Sequence, residues 1–240
     1  MFPYDVRIAA AVAPVPHSID DVVAMLVAVD SLCADVDGLK WFNWLYLQVT
    51  RAVQERVNAA GGFADPAWIA ALDVDFAGYY LRAIQSALAS NAAPGCWQAI
   101  FNMRNQQAET RLQFALAGMN AHINHDLPQA IVATCLATGI APEHGTAHYN
   151  DYTALNSTLD AIIDTAKQQL NVRLPGDSLP DLTRLENLSA AFGIAAAREV
   201  AWKKAEVLWH IKDVPLVSTA FLDSVDATTA VASKTLLIPV

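Results

Sequence analysis

The sequence predicts an all-α protein: a single-domain bundle of several helices around one buried central helix at about residues 107–126. Three observations carry this. Apolar residues recur at spacings of three and four along most of the chain, and no stretch shows the period-two alternation of a half-buried strand. Helix-start and helix-stop residues punctuate those stretches. Hydrophobic residues make up 54% of the 240 positions and charged ones 16%, which suits a heavily buried core with no linker dividing it.

Residues 1–17 read as an N-terminal arm. Asp5 precedes its only base, Arg7, and the apolar run is too short for a secretory signal, so the chain reads as cytoplasmic. Ser18-Ile-Asp-Asp21 is a capping box with Asp in place of Glu, and Val22, Val23, Met25, Leu26 and Val29 continue the helix to about Cys33. After the break at Asp37-Gly38 a second helix runs from about Leu39 to Ala60. Its aromatic cluster, Trp41 to Tyr46, reads as core, while Asn43, Thr50 and Gln54 share a polar stripe with Tyr46 at its edge. Asp65-Pro66 supplies an N-cap and an N1 proline for a short turn of helix. A separate helix is expected from about Asp75 to Ser90, and Trp97 to Met103 leads into the central one.

Pro128 disfavours helical angles in the residue before it, so the central helix should stop or kink near Asp126 and Leu127, with Asp126 free to cap a new helix through Ile131, Val132, Cys135 and Leu136. A loop over Gly139–Gly145 precedes a long helix from about Thr146 to Leu170. Leu174–Leu182 reads as loop, followed by helices at about 182–190 and 191–211. Arg198, Trp202, Glu206 and His210 fall at four-residue spacing on the second, with Lys203 and Lys204 directed to water. A last helix runs from Pro215 to about Ala232, and residues 236–240 form an apolar tail that docks on the body.

The central helix carries the unusual pattern. Arg111, Ala115, Gly118, His122 and Asp126 fall on one narrow stripe, with apolar residues on both flanks and Gln113, Asn120 and Asn124 diametrically opposite. Two apolar flanks bury most of such a helix. One polar stripe is then expected to face water and the other, taken as the His122 stripe, to satisfy its hydrogen bonds internally or around a ligand.

Composition narrows the function classes. A formal charge of -9 and a pI near 4.9, with scattered basic residues, argue against a nucleic-acid partner. No apolar run reaches the roughly 18 residues of a membrane span. Cys33, Cys96 and Cys135 show no metal-like spacing and read as buried thiols. No nucleophile elbow, phosphate loop or dinucleotide fingerprint is present. Three readings then stand. In one, His122 does acid–base work with Asp126 or Glu206 beside an apolar cavity, on a mostly apolar small molecule, by hydrolysis, isomerisation or cyclisation. Substrate contacts would come from Asn43, Tyr46, Arg111, Met119, Asn120, Trp202 and Trp209. In the second, His122 and Asp126 ligate a divalent metal with His148, Asp151 or His210, as in a hydrolase or phosphoesterase. In the third, the same residues form a satisfied network in a ligand-binding or interaction domain. No cofactor is required by the residues themselves.

Two resemblances bear on this choice. Gly118-x-x-x-His122-x-x-x-Asp126 resembles the helix signature of zinc-dependent phospholipases C and single-strand nucleases, but the histidine those families place shortly after the Asp is missing at Ala130–Ala133, as is their early Trp–His pattern. More broadly, Phe42-Asn43-x-Leu45-Tyr46-x-x-Val49-Thr50, the block from Phe114 through Gly118-Met-Asn-Ala-His122-Ile-Asn-x-Asp126-Leu-Pro128, and Ala205-Glu206-x-Leu208-Trp209 resemble a family of uncharacterised bacterial and fungal proteins over nearly the whole chain. That resemblance implies a single helical domain of unknown function. It singles out Asn43, Tyr46, Asn120, His122, Asp126, Glu206 and Trp209; His125 sits at a variable position, and His144 and His210 lie outside the motif.

Overall fold

The computed structural model describes residues 2–170 and 193–239, and every regular element among them is helical. In chain order these are α1 (Asp5–Ala11), α2 (Ile19–Leu32), α3 (Gly38–Asn58), α4 (Pro66–Leu88), α5 (Gly95–Met103), α6 (Arg111–Ala121), a π-helical turn (His122–Asp126), α7 (Leu127–Thr138), α8 (Ala147–Ala154), α9 (Asn156–Leu170), α10 (Ile194–Ile211) and α11 (Pro215–Leu236). The expected loop over 174–182 and helix over 182–190 lie outside the described residues.

The expected caps form. Ser18 Oγ accepts from Asp21 N and Asp65 Oδ1 from Trp68 N, and Thr146 Oγ1, given no such role by the sequence, also caps by accepting from Tyr149 N. Thr110 and Gln113 make a reciprocal capping box at the start of α6. Three boundaries differ from expectation. The short turn after Pro66 and the helix at 75–90 are one continuous α4. The long helix expected from Thr146 breaks at Leu155 into α8 and α9. Part of the N-terminal arm is a helix: Ile8 and Val12 are fully buried, and Arg104 binds both Asp5 and Asp37, tying α1 and the start of α3 to the end of α5.

The central helix does not stop at Pro128. It widens into the π-helical turn and continues as α7. Pro128 has no N–H for the carbonyl of Asn124, and that carbonyl accepts instead from Lys204 Nζ of α10 at 3.0 Å. Lys204, expected to point to water, is thus half-buried, and burial lowers its pKa.

Every residue from Leu112 to Ala121 is buried. α6 packs on α3 and α11, α7 packs on α4 and α10, and the π-turn touches α4, α10 and α11. Gly118 permits the closest of these approaches, since a Cβ there would stand 2.2 Å from Phe42 Cγ. Both polar stripes are consequently inside, against the expectation that one faces water. Gln113 Nε2 donates to the carbonyls of Leu236 and Ile238, at 2.8 and 2.6 Å, and Asn120 Nδ2 to Thr229 O and Ser233 Oγ, at 3.0 and 2.9 Å. The amides therefore fasten α11 and the C-terminal tail, whose Leu237 is buried, to the central helix.

Candidate functional site

The widened turn places His122 and Asp126 side by side in the interior, where their side chains are 3% and 1% exposed. His122 Nδ1 lies 2.9 Å from Asp126 Oδ2. The same oxygen accepts from Trp97 Nε1 at 2.9 Å, and Asp126 Oδ1 meets His125 Nδ1 at 2.6 Å. Asp126 makes no side-chain cap to α7, so the capping role open to it in the sequence is not used.

These partners fix the protonation state. Burial alone would raise the Asp126 pKa, but the hydrogen bonds from His122 and His125 outweigh it and hold the carboxyl below its ordinary value. Burial pushes the His122 pKa down against the opposing hydrogen bond from Asp126. Asp126 is thus an ionised acceptor, so the proton of a neutral His122 sits on Nδ1, and Nε2 presents a lone pair. That Nε2 is buried and has no hydrogen-bond partner among the described residues.

His122 lines a cavity of about 80 Å³, room for several waters or a slender apolar group. Its walls are mostly apolar side chains of α3, α4, α6 and α9, including Leu45, Val49, Leu72, Phe76, Met119 and Leu159. The imidazole is clamped in place: Phe76 stacks on it at 3.5 Å between centroids, and Tyr46 meets it edge-on at 4.6 Å. The other polar groups lining the cavity are Tyr46, Asp73 and Arg198. Among the described residues Tyr46 Oη and Asp73 Oδ2 are buried with no hydrogen-bond partner, like His122 Nε2. Burial raises Asp73 to a pKa of about 7. It holds the Tyr46 hydroxyl well above its usual value, with the Asp73 charge adding to the rise.

Of the residues the sequence put forward, Tyr46, Met119 and His122 line this cavity, and Asp126 holds His122 from behind. The others are placed elsewhere. Asn43 Nδ2 donates to Leu26 O at 2.9 Å, which ties α3 to α2. Arg111 covers the Trp41 ring at 4.5 Å. Trp202 is buried against Trp68, Tyr149 and Tyr152, and Trp209 lies half-buried under Lys212. Glu206 binds His144 Nδ1 at 2.5 Å and accepts from Trp202 Nε1 at 3.2 Å, so it forms a separate surface cluster with Glu199.

The metal candidates are not gathered either. His148 bonds Asp65 at 3.1 Å, Asp151 accepts from the amides of Ala64 and Asp65, and His210 bonds its own helix backbone. Among the described residues a different group, Cys96, His125 and Asp226, has ligand atoms within 4.8 Å of one another. Both Asp226 oxygens there already accept from the first amides of α5, at 2.7 and 2.9 Å.

Sequence reasoning passed over Asp73, Arg198 and Trp97. Asp73 had a readable signal, because it occupies a position that is otherwise apolar at helical spacing, with Ile69, Leu72, Phe76 and Tyr80 around it. Trp97 had none, since its role is a single indole N–H aimed at Asp126 from another helix.

A family described as "Family of unknown function (DUF5995)" matches residues 19–239, and the chain belongs to it. No curated protein and no solved structure matches the chain.

Proposed function

We propose that this member of a family without an assigned activity is a small-molecule enzyme that moves protons on a mostly apolar substrate, with His122 as general base. The observation that carries the proposal is that His122 lines an apolar cavity with Nε2 unpartnered among the described residues, while Asp126 engages Nδ1. Buried polar atoms are nearly always satisfied. Three residues that line the cavity, His122, Tyr46 and Asp73, each carry a buried polar atom without a partner among the described residues, which suits a ligand with a polar group of its own.

The chemistry that these groups suit is isomerisation by proton transfer. His122 Nε2 takes a proton from a carbon beside a carbonyl, and the C–H electron pair moves toward the carbonyl oxygen. Asp73, which retains its proton up to about pH 7, or the Tyr46 hydroxyl protonates that oxygen. Return of the proton from His122 to a distal carbon, and of the oxygen-bound proton to its donor, completes the shift with no cofactor. Asp126 stabilises the imidazolium formed in between. Positioned acid–base groups of this kind contribute about 10²–10⁴-fold in rate. The metal reading gains no support from the geometry, because His122 Nδ1 and both Asp126 oxygens are already engaged.

The test is deuterium incorporation from D2O into a panel of ketones and carboxylic acids that carry a β,γ double bond, read by mass spectrometry. Wild type is expected to exchange at least one compound faster than buffer, and His122→Gln to lower that rate about 10²-fold with the melting temperature nearly kept. A panel on which wild type and His122→Gln never differ would sink the proposal.

A further inference from the structure

Arg198 is the one cationic side chain that lines the cavity among the described residues, and it is 6% exposed. Its guanidinium is held by neutral groups. Nε donates to Asn156 Oδ1 at 2.8 Å, Nη2 donates to the carbonyl of Tyr152 at 2.7 Å, and the Tyr152 ring lies 4.0 Å from Cζ. No carboxylate pairs with it among the described residues, and Nη1 makes no hydrogen bond there. The contrast within the same chain is Arg104, equally buried, which carries both Asp5 and Asp37.

A buried cation is ordinarily paired, because neutral acceptors and one ring face do not replace the water it gives up. Asp73, the acid on the same cavity wall, does not neutralise it: both Asp73 and Arg198 are strained by burial, and neither is relieved by the other. The bonds of Nε and Nη2 to protein acceptors fix the guanidinium plane, and among the described residues Nη1 has no acceptor. A planar, singly charged carboxylate suits a guanidinium held in this way at the cavity. A phosphate would bring more charge and more oxygens than this mostly apolar wall has donors for.

We infer that the cavity takes an apolar monocarboxylate, with Arg198 anchoring the carboxylate and the aliphatic walls of α3, α4 and α9 holding its hydrocarbon part. The inference rests on the cavity being the binding site of the proposed function, and it gives that site its substrate class. Arg198 acts here as a specificity determinant, separate from the proton-transfer groups. The apolar walls and the single cation select jointly: the hydrocarbon accounts for retention, and the charge for discrimination against neutral analogues.

The experiment is titration calorimetry at pH 7 with propanoate, butanoate and pentanoate, acids short enough for a cavity of about 80 Å³, and with the matching primary alcohols and inorganic phosphate. The carboxylates are expected to bind at least about tenfold more tightly than the alcohols, and phosphate not to bind. Arg198→Gln should remove that tenfold advantage and leave alcohol affinity unchanged. Arg198→Lys should retain part of it. Equal affinity of acids and alcohols for wild type, or unchanged acid affinity in a folded Arg198→Gln, overturns the carboxylate assignment while leaving the cavity reading intact. Failure of both acids and alcohols to bind wild type overturns the two together. The wild-type comparison of acid with alcohol stands even if Arg198→Gln does not fold.

Discussion

Replacing Asp73 with Asn should make the protein more stable above neutrality and remove much of the pH dependence that it now has. The side chain is 7% exposed, and burial raises its pKa from 3.8 to about 7. Below about pH 4 the carboxyl is protonated in both the folded and the unfolded chain. Between there and about pH 7 the unfolded chain ionises and the folded one does not, so the folded state binds more protons and stability falls as pH rises. Above the folded pKa the loss is complete, and a gap of about three pKa units corresponds to about 4 kcal/mol. Between pH 5 and pH 8 the loss comes to about 3 kcal/mol. His122 acts with the opposite sign: its folded pKa is lowered, so its contribution grows as pH rises toward its unfolded value of about 6.5. Wild type and Asp73→Asn share that contribution, and it cancels in their difference. Urea unfolding of both proteins from pH 5 to pH 8 reads that difference directly. The variant should gain about 3 kcal/mol on wild type across the range, and parallel curves would refute a buried, unpaired Asp73.

Two further substitutions test the frame that holds the site. Gly118→Ala should destabilise by about 1–3 kcal/mol, because overpacking against the Phe42 ring outweighs the roughly 1 kcal/mol of helix propensity gained. Thermal unfolding should show it as a fall of about 2–4 °C per kcal/mol, and an unchanged or raised midpoint would mean that α3 and α6 are not in such close contact. Lys204→Met should cost about 1–3 kcal/mol by leaving the Asn124 carbonyl without a donor beside Pro128. Chemical denaturation checks this, and a silent substitution would show that the π-turn does not depend on the lysine.

The all-α class and most helices were legible because apolar spacing and caps are local signals, as at Ser18 and Asp65. The continuation through Pro128 was not, because the lysine that satisfies Asn124 comes from a helix 80 residues away in sequence. The short α1 was missed for the same reason, since its anchor is the Arg104 pairing with Asp5. At the site, a stripe on a wheel identified His122 and Asp126 as interior. It could not distinguish a side chain that faces a cavity from one that fastens two helices: Tyr46 does the first, and Asn43 and Asn120, equally polar and equally buried, do the second. Arg198 was visible at four-residue spacing with Trp202 and Glu206, but its lack of an acid partner among the described residues is a property of packing.

The central claim is that His122, which lines the cavity, is a neutral imidazole with its proton on Nδ1 and an unprotonated Nε2. Ring-nitrogen chemical shifts of His122, assigned by its loss in His122→Gln, test this most directly in the protein at neutral pH. The account requires a protonated Nδ1 and an unprotonated Nε2 that titrates below the ordinary histidine value, and lower still in Asp126→Asn, where the stabilising charge is gone. A proton on Nε2, or a ring that titrates at its ordinary value and is indifferent to Asp126→Asn, would contradict it.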